Sequence, residues 1–358
     1  MMKQSKQIFS VIILALGWCV ISVGCSAVKA QEKAPDNGAD KVAENMLLFQ
    51  RSYGGWPKHF NKKAINYQDN FTPEQIKEIR GLVNENDATI DNQATTKEIR
   101  YLLSAYAKDK NPAYLQAAEK GIEYLLKAQY ENGGWPQYYP NFKDYHGQVT
   151  YNDNAMVNVL NLLKDLTEQQ PGFEVVNAAL IPKANAAIAN GVACILKTQV
   201  KVNNKPTAWT AQYDPITLQP ADARMFEPAG LSSMESVGIV RFLMRLENPS
   251  PQVIAALEHA KDWFISTAIK GYESKIVPDA SQPKGVDRVL LPAENKTTWA
   301  RFYDINTNQP FFSGRDGIKK SKLADIEVER RVGYGWYGEW PQNFLDKQYP
   351  KWKTKHGL

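Results

Sequence analysis

Apolar residues recur at three- and four-residue spacing along most of the chain beyond residue 43. The pattern predicts helices over 43–51, 73–84, 93–108, 112–130, 153–168, 180–199, 233–247 and 251–268. Three starts carry a cap and a first-turn proline: Thr72-Pro73, Asn111-Pro112 and Ser250-Pro251. From 270 to 350 the helical period fades into Pro, Gly, Trp, Tyr and short β-branched runs. That stretch is expected to form loops with small strands or short helices.

Two classes of helix alternate. One class follows polar or acidic residues: Asp91-Asn92-Gln93-Ala94 before Ile99 and Leu102, Asn152-Asp153-Asn154-Ala155 before Leu160 and Leu163, and Leu231-Ser232-Ser233-Met234 before Ile239 and Phe242. Aligned on their apolar positions, Asp91, Asn152 and Leu231 correspond, as do Asn92, Asp153 and Ser232. The other class runs into an aromatic turn: Gln50 before Gly54-Gly55-Trp56-Pro57, Gln129 before Gly133-Gly134-Trp135-Pro136, and Gln199 before Trp209, with Gly338-Glu339-Trp340-Pro341 as a further copy. A repeat of roughly 60–80 residues built from helix pairs fits stacked or ring-closed hairpins. The fold expected is mainly α, an α/α toroid (an incomplete helical-hairpin barrel) with short strands and long loops. The first class then gathers its N-terminal ends at one mouth, where free N–H groups favour anions.

The first 30 residues read as a secretory leader. Lys3 and Lys6 precede an apolar stretch from Ile8 to Gly24, and Val28-Lys29-Ala30 suits cleavage. Gly24-Cys25 also resembles a lipoprotein box, so a secreted or periplasmic protein is expected, with surface anchoring through Cys25 as the alternative. Residues 31–45 read as a polar tether, and 46–358 as one catalytic domain. Cleavage near Ala30 leaves Cys194 as the sole cysteine, which excludes an internal disulfide and a cysteine zinc cage. It also removes three lysines, lowering the net charge from +5 to +2. That balance and the lack of motifs argue against a nucleic-acid partner. No later segment is apolar for long enough to span a bilayer, and the chain is expected to act as a monomer.

Asp91, Asn92 and Asp153 would form an oxygen-rich cluster at the shared mouth, suited to Ca²⁺ rather than to zinc or copper. Each taken alone also reads as an ordinary N-cap. Arg224, Arg301 and Arg315 sit in aromatic or glycine-rich loops and suit bidentate carboxylate recognition. His146 lies shortly before Asp153, and Lys58 follows Trp56-Pro57; both are candidates for contacting a substrate. Asp91, Asp153, Glu227 and Glu235 keep open a paired-carboxylate glycoside hydrolase. There is no G-x-S-x-G, phosphate loop or dinucleotide fingerprint.

Several segments resemble pectate lyases of polysaccharide lyase family ten. They are Gly54-Gly55-Trp56-Pro57-Lys58, Asp91-Asn92-Gln93-Ala94-Thr95, Tyr151-Asn152-Asp153-Asn154-Ala155-Met156, Ala223-Arg224, Trp299-Ala300-Arg301-Phe302-Tyr303-Asp304, Arg315-Asp316-Gly317 and Arg330-Arg331-Val332-Gly333-Tyr334. The resemblance implies a secreted, calcium-dependent toroid that cleaves polygalacturonate by β-elimination. It further implies Asp91, Asn92 and Asp153 at the calcium and substrate site, Arg224 as base, and Arg301 and Arg315 holding the sugar acid. Lys58 is the substitute base. A hydrolase on a similar toroid and a non-catalytic pectin-binding surface protein are the competing readings.

Overall fold

Thr72, Asn111 and Ser250 cap helices as their spacing predicts. The Thr72 and Gln75 side chains close a reciprocal capping box, Asn111 accepts from the Ala113 N–H, and Ser250 accepts from the Val253 N–H. The computed structural model describes residues 40–358. The leader, Cys25 and the tether before Asp40 lie outside the described residues. The helices are α1 Lys41–Phe49, α2 Pro73–Gly81, α3 Thr96–Asp109, α4 Pro112–Lys127, α5 Ala155–Thr167, α6 Leu180–Thr198, α7 Ser233–Leu243, α8 Pro251–Ser266, α9 Val328–Gly333 and α10 Tyr349–His356. Among the described residues none is long and apolar enough to cross a membrane.

The first helix starts earlier than the pattern suggests. Asp40 accepts from the Val42 and Ala43 N–H groups, and both of those residues are buried, so positions 41–45 are helix rather than tether. The pairs α3/α4, α5/α6 and α7/α8 form helical hairpins. Helices α3, α5 and α7 touch in succession, and α1, α4, α6 and α8 form a second row behind them. This is the α/α toroid-like architecture that the two alternating helix classes predict.

The second class proves to be a repeated structural joint. Trp56, Trp135 and Trp209 are fully buried, and each indole N–H donates to a carbonyl of the preceding outer helix: Met46, Leu125 and Ile195 at 2.7, 2.7 and 2.8 Å. Gln50, Gln129 and Gln199 each bridge their own turn to the next outer helix, through the carbonyls of Ala117, Ala187 and Ala256. Gly133, at φ +90°, brings the turn so near α6 that a Cβ there would lie 2.0 Å from the Asn190 carbonyl oxygen. The fourth copy is Trp299, whose indole donates to the Phe264 carbonyl at 2.7 Å after α8. Trp340 is only half-buried and covers Gly338 instead. Cys194 is buried in α6, where burial pushes its thiol up to about 11, as expected of core filling.

The stretch expected to hold loops with small strands or short helices contains a long antiparallel hairpin, Ile269–Pro278 against Val286–Ala300. Both faces mix apolar with charged residues, such as Lys270, Glu273, Lys275 and Arg288, and nearly all positions are at least partly exposed. Alternation is therefore weak, and period-two reading misses it. Its far end pairs with Tyr337–Gly338 and delivers Trp299 to the core and Arg301 to the site.

Candidate active site

Asp91–Gln93 and Asn152–Asn154 fold as the same kinked turn ahead of α3 and α5. Asn92 (φ 50°, ψ 38°) and Asp153 (φ 50°, ψ 30°) are both left-handed, as are Gln93 and Asn154 after them. Asn and Asp tolerate this conformation better than other residues with side chains. It also explains why α3 begins at Thr96 rather than 93. The third copy differs. Leu231–Ser232 is a short strand paired with Phe302–Tyr303, and Ser232 is an extended N-cap whose hydroxyl accepts from the Glu235 N–H. Strand pairing, with Ser232 extended at φ −112°, excludes the left-handed turn there.

The two turns form one wall of a cleft of about 200 Å³. Lys58, Asp91, Asn92, Asn152, Asp153, Arg224 and Glu227 line it, with Tyr145 and Tyr334 at its sides. Thr89 secures the first turn: its hydroxyl accepts from the Asp91 N–H and donates to the Gln137 carbonyl at 2.6 Å.

Every acid of this wall faces a cation. Lys58 donates through Nζ to Asp91 Oδ2, while Asp91 Oδ1 is buried without a hydrogen-bond partner. Burial pulls the Lys58 ammonium down, but the bond and charge of Asp91 outweigh it and leave it raised. Asp153 Oδ1 lies 3.5 Å from Arg301 Nη2 and its Oδ2 accepts from Asn152 Nδ2 at 3.0 Å. Burial raises the Asp153 carboxyl; Arg301 opposes that, while Glu235 and Asp91 add to it. Arg224 donates through Nε and Nη2 to the two carboxylate oxygens of Glu227, and this pairing keeps its guanidinium raised above the ordinary value.

The other residues singled out in the sequence lie around the cleft rather than in its lining. Arg301 is buried behind Asp153 and bound to Glu235 Oε1 at 2.5 Å, with the Tyr334 ring 4.8 Å away. Arg315 is exposed and paired with Glu329 at 2.7 Å. His146 is wedged between the rings of Tyr138 and Tyr145, where burial and then the Lys58 charge lower its pKa. Among the described residues no three His, Cys, Asp or Glu side chains are grouped to hold a metal ion. The predicted ligand set has two carboxylates and an amide, so it would not form such a group.

The family model described as pectic acid lyase matches residues 50–345. The chain belongs to the pectic acid lyase family. Two solved structures of a family 10 polysaccharide lyase from Cellvibrio cellulosa resemble this lyase over 88% of its length, each with a TM-score of 0.75. One is an alanine mutant in complex with trigalacturonic acid, 31% identical, with 92% of its chain covered; the other is 32% identical with 91% covered. No curated protein matches the chain. The lyase site also contains a repeat that helical periodicity does not reveal. Trp209, Tyr213, Asp214, Thr217 and Pro220 recur as Trp299, Tyr303, Asp304, Thr307 and Pro310. Both tyrosine hydroxyls accept a backbone N–H within the repeat, from Thr210 and Ala300, and both aspartates cap the following turn. Arg224 follows the first copy by four residues after Pro220, and Arg315 follows the second by five after Pro310, one residue out of register. Tyr145 enters the site only through folding, and the pairing of Glu227 with Arg224 likewise carries no spacing signal of its own.

Proposed function

We propose that this pectate lyase cleaves α-1,4-polygalacturonate by β-elimination, with Arg224 removing the C5 proton and 4,5-unsaturated oligogalacturonates as products. The observation that carries the reading is the meeting of Asp91, Asp153 and Arg224, from three distant segments, around one cleft. The C5 proton is α to a carboxylate and weakly acidic, so cations around the developing charge matter more than a strong base. Arg301 and Arg315, with Lys58 and His146, are the further candidates for holding the uronate.

Asp91, Asn92 and Asp153 would hold calcium. The donors are hard oxygens, and Asp91 Oδ1 is a buried acceptor with no donor in the protein, which suits an oxygen-loving ion. Bound there, calcium would neutralise charge on the sugar carboxylate. Two protein carboxylates leave further coordination to substrate and water. Arg224 and Lys58, the two basic side chains at the cleft, are both held in their charged forms by Glu227 and Asp91. Proton removal therefore requires one of these pairs to loosen when substrate enters. A leader peptide and secretion agree with a polymeric substrate outside the cell.

The test is ultraviolet absorbance of the unsaturated product from polygalacturonate, with and without a chelator restored by calcium. Reducing ends without that absorbance would establish hydrolysis instead, and binding without either would leave a pectin-binding protein.

A further inference from the structure

Three guanidinium groups from three separate segments surround one ring. Arg224, Arg315 and Arg330 lie with Cζ 5.0, 4.6 and 4.9 Å from the centroid of Phe226. Two of them are neutralised locally, Arg224 by Glu227 and Arg315 by Glu329. Arg330 is different. It is 6% exposed, and among the described residues no carboxylate lies within ion-pair distance of it. Its Nε donates to the Ser313 carbonyl at 3.4 Å, and the rings of Phe226, Tyr334 and Trp336 enclose it. A buried cation without a counter-ion is costly unless an anion arrives. Like charges also repel, so something must fix the distances among these three. The shared neighbour is Phe226, whose π-face attracts each of them. It directly precedes Glu227 in the chain, so the ring and the carboxylate that engages Arg224 move as one unit.

We infer that Phe226 is a positioning residue: its ring sets the relative placement of Arg224, Arg315 and Arg330, so that they meet carboxylates of neighbouring sugars together. This rests on the reading that the cleft takes polygalacturonate. A polyuronate carries one carboxylate per sugar, and cations held at fixed spacing gain from binding several at once, which free surface cations do not. Phe226 acts through these arginines and not on the reacting atoms.

The experiment compares Phe226→Leu with Phe226→Tyr in the full chain, reading calorimetric binding of monogalacturonate and trigalacturonate alongside kinetics on polygalacturonate. Phe226→Leu should keep the circular dichroism of the parent, and its affinity for trigalacturonate should fall about tenfold or more. Its affinity for monogalacturonate should fall much less. Phe226→Tyr, which keeps the ring, should stay within about twofold of the parent. KM should rise with the binding loss. Parent-like trigalacturonate binding in the leucine variant would overturn the inference, as would equal losses for the two ligands. Phe226→Met serves as a second ring-free variant if the leucine chain fails to fold. A parent protein that binds trigalacturonate but makes no unsaturated product would sink the lyase chemistry alone, and the binding series would still decide the role of Phe226. A parent that binds neither ligand would overturn both.

Discussion

Arg224 and Glu227 form a two-pronged ion pair, Nε to Oε2 at 2.7 Å and Nη2 to Oε1 at 2.5 Å, at the edge of the cleft. The pair favours the protonated guanidinium, whereas a base must lose that proton. Deprotonation becomes easier as pH rises, so turnover should climb into the alkaline range. Glu227 displaces that climb towards higher pH, and Glu227→Gln should move it lower. Arg224→Ala should cut kcat by about 10²–10⁴-fold, the usual weight of a general base. Steady-state kinetics across pH checks all three. A parent rate that stays flat from about pH 6 to 10 would point to another base.

Lys58 is the other basic group, and its pairing with Asp91 gives it a different expected signature. Lys58→Ala leaves Asp91, 4% exposed, without its cation, so substrate and calcium binding should change while the alkaline climb persists. Calorimetry with trigalacturonate and a pH profile of the variant separate the two effects. If the climb vanishes in Lys58→Ala and survives in Arg224→Ala, their roles are reversed.

Much of the helical frame was legible because its signals are local. Thr72-Pro73, Asn111-Pro112 and Ser250-Pro251 each state a helix start within a few residues, and Gln50, Gln129 and Gln199 mark repeated ends. Asp91 and Asp153 could be placed together because one turn is used twice. What could not be read depends on distant partners. Trp299 acts as the fourth plug only because the hairpin after α8 returns it to Phe264, and Trp340 has a similar local sequence without that neighbour. Arg301 sits in an aromatic loop whose sequence states nothing of what packs beside it. Its burial against Glu235 follows from the pairing of Phe302–Tyr303 with Leu231–Ser232, which no local spacing encodes.

The Arg301–Glu235 pair gives a stability prediction. Glu235 is fully buried, accepts from the Ser232 hydroxyl, and binds Arg301 at 2.5 Å. Glu235→Ala leaves a buried guanidinium with only Asp153, 3.5 Å away, as a charge partner. Removing one member of a buried pair costs about 3–5 kcal/mol, so urea unfolding should show a loss of that order. A loss under about 1 kcal/mol would mean that Asp153 or water compensates the charge.

Glu98, which does not line the cleft, should make stability depend on pH. Its carboxyl is fully buried in the first turn of α3, where Oε1 accepts from the Tyr67 hydroxyl at 2.9 Å and Oε2 has no partner. Burial raises its pKa from 4.5 to about 7, with Lys97 and Tyr67 opposing. An acid raised in the folded state holds its proton there after the unfolded chain has released it. Its contribution is therefore most favourable below pH 4.5 and declines as pH rises towards about 7, beyond which it is constant. The difference amounts to roughly 3 kcal/mol at most. Glu98→Gln keeps an acceptor for Tyr67 and cannot ionise. Relative to the parent, the variant should gain stability steadily between those two pH values and then level off, as read by urea unfolding at intervals of pH. A constant difference across the range would mean that Glu98 titrates alike in the folded and unfolded chains.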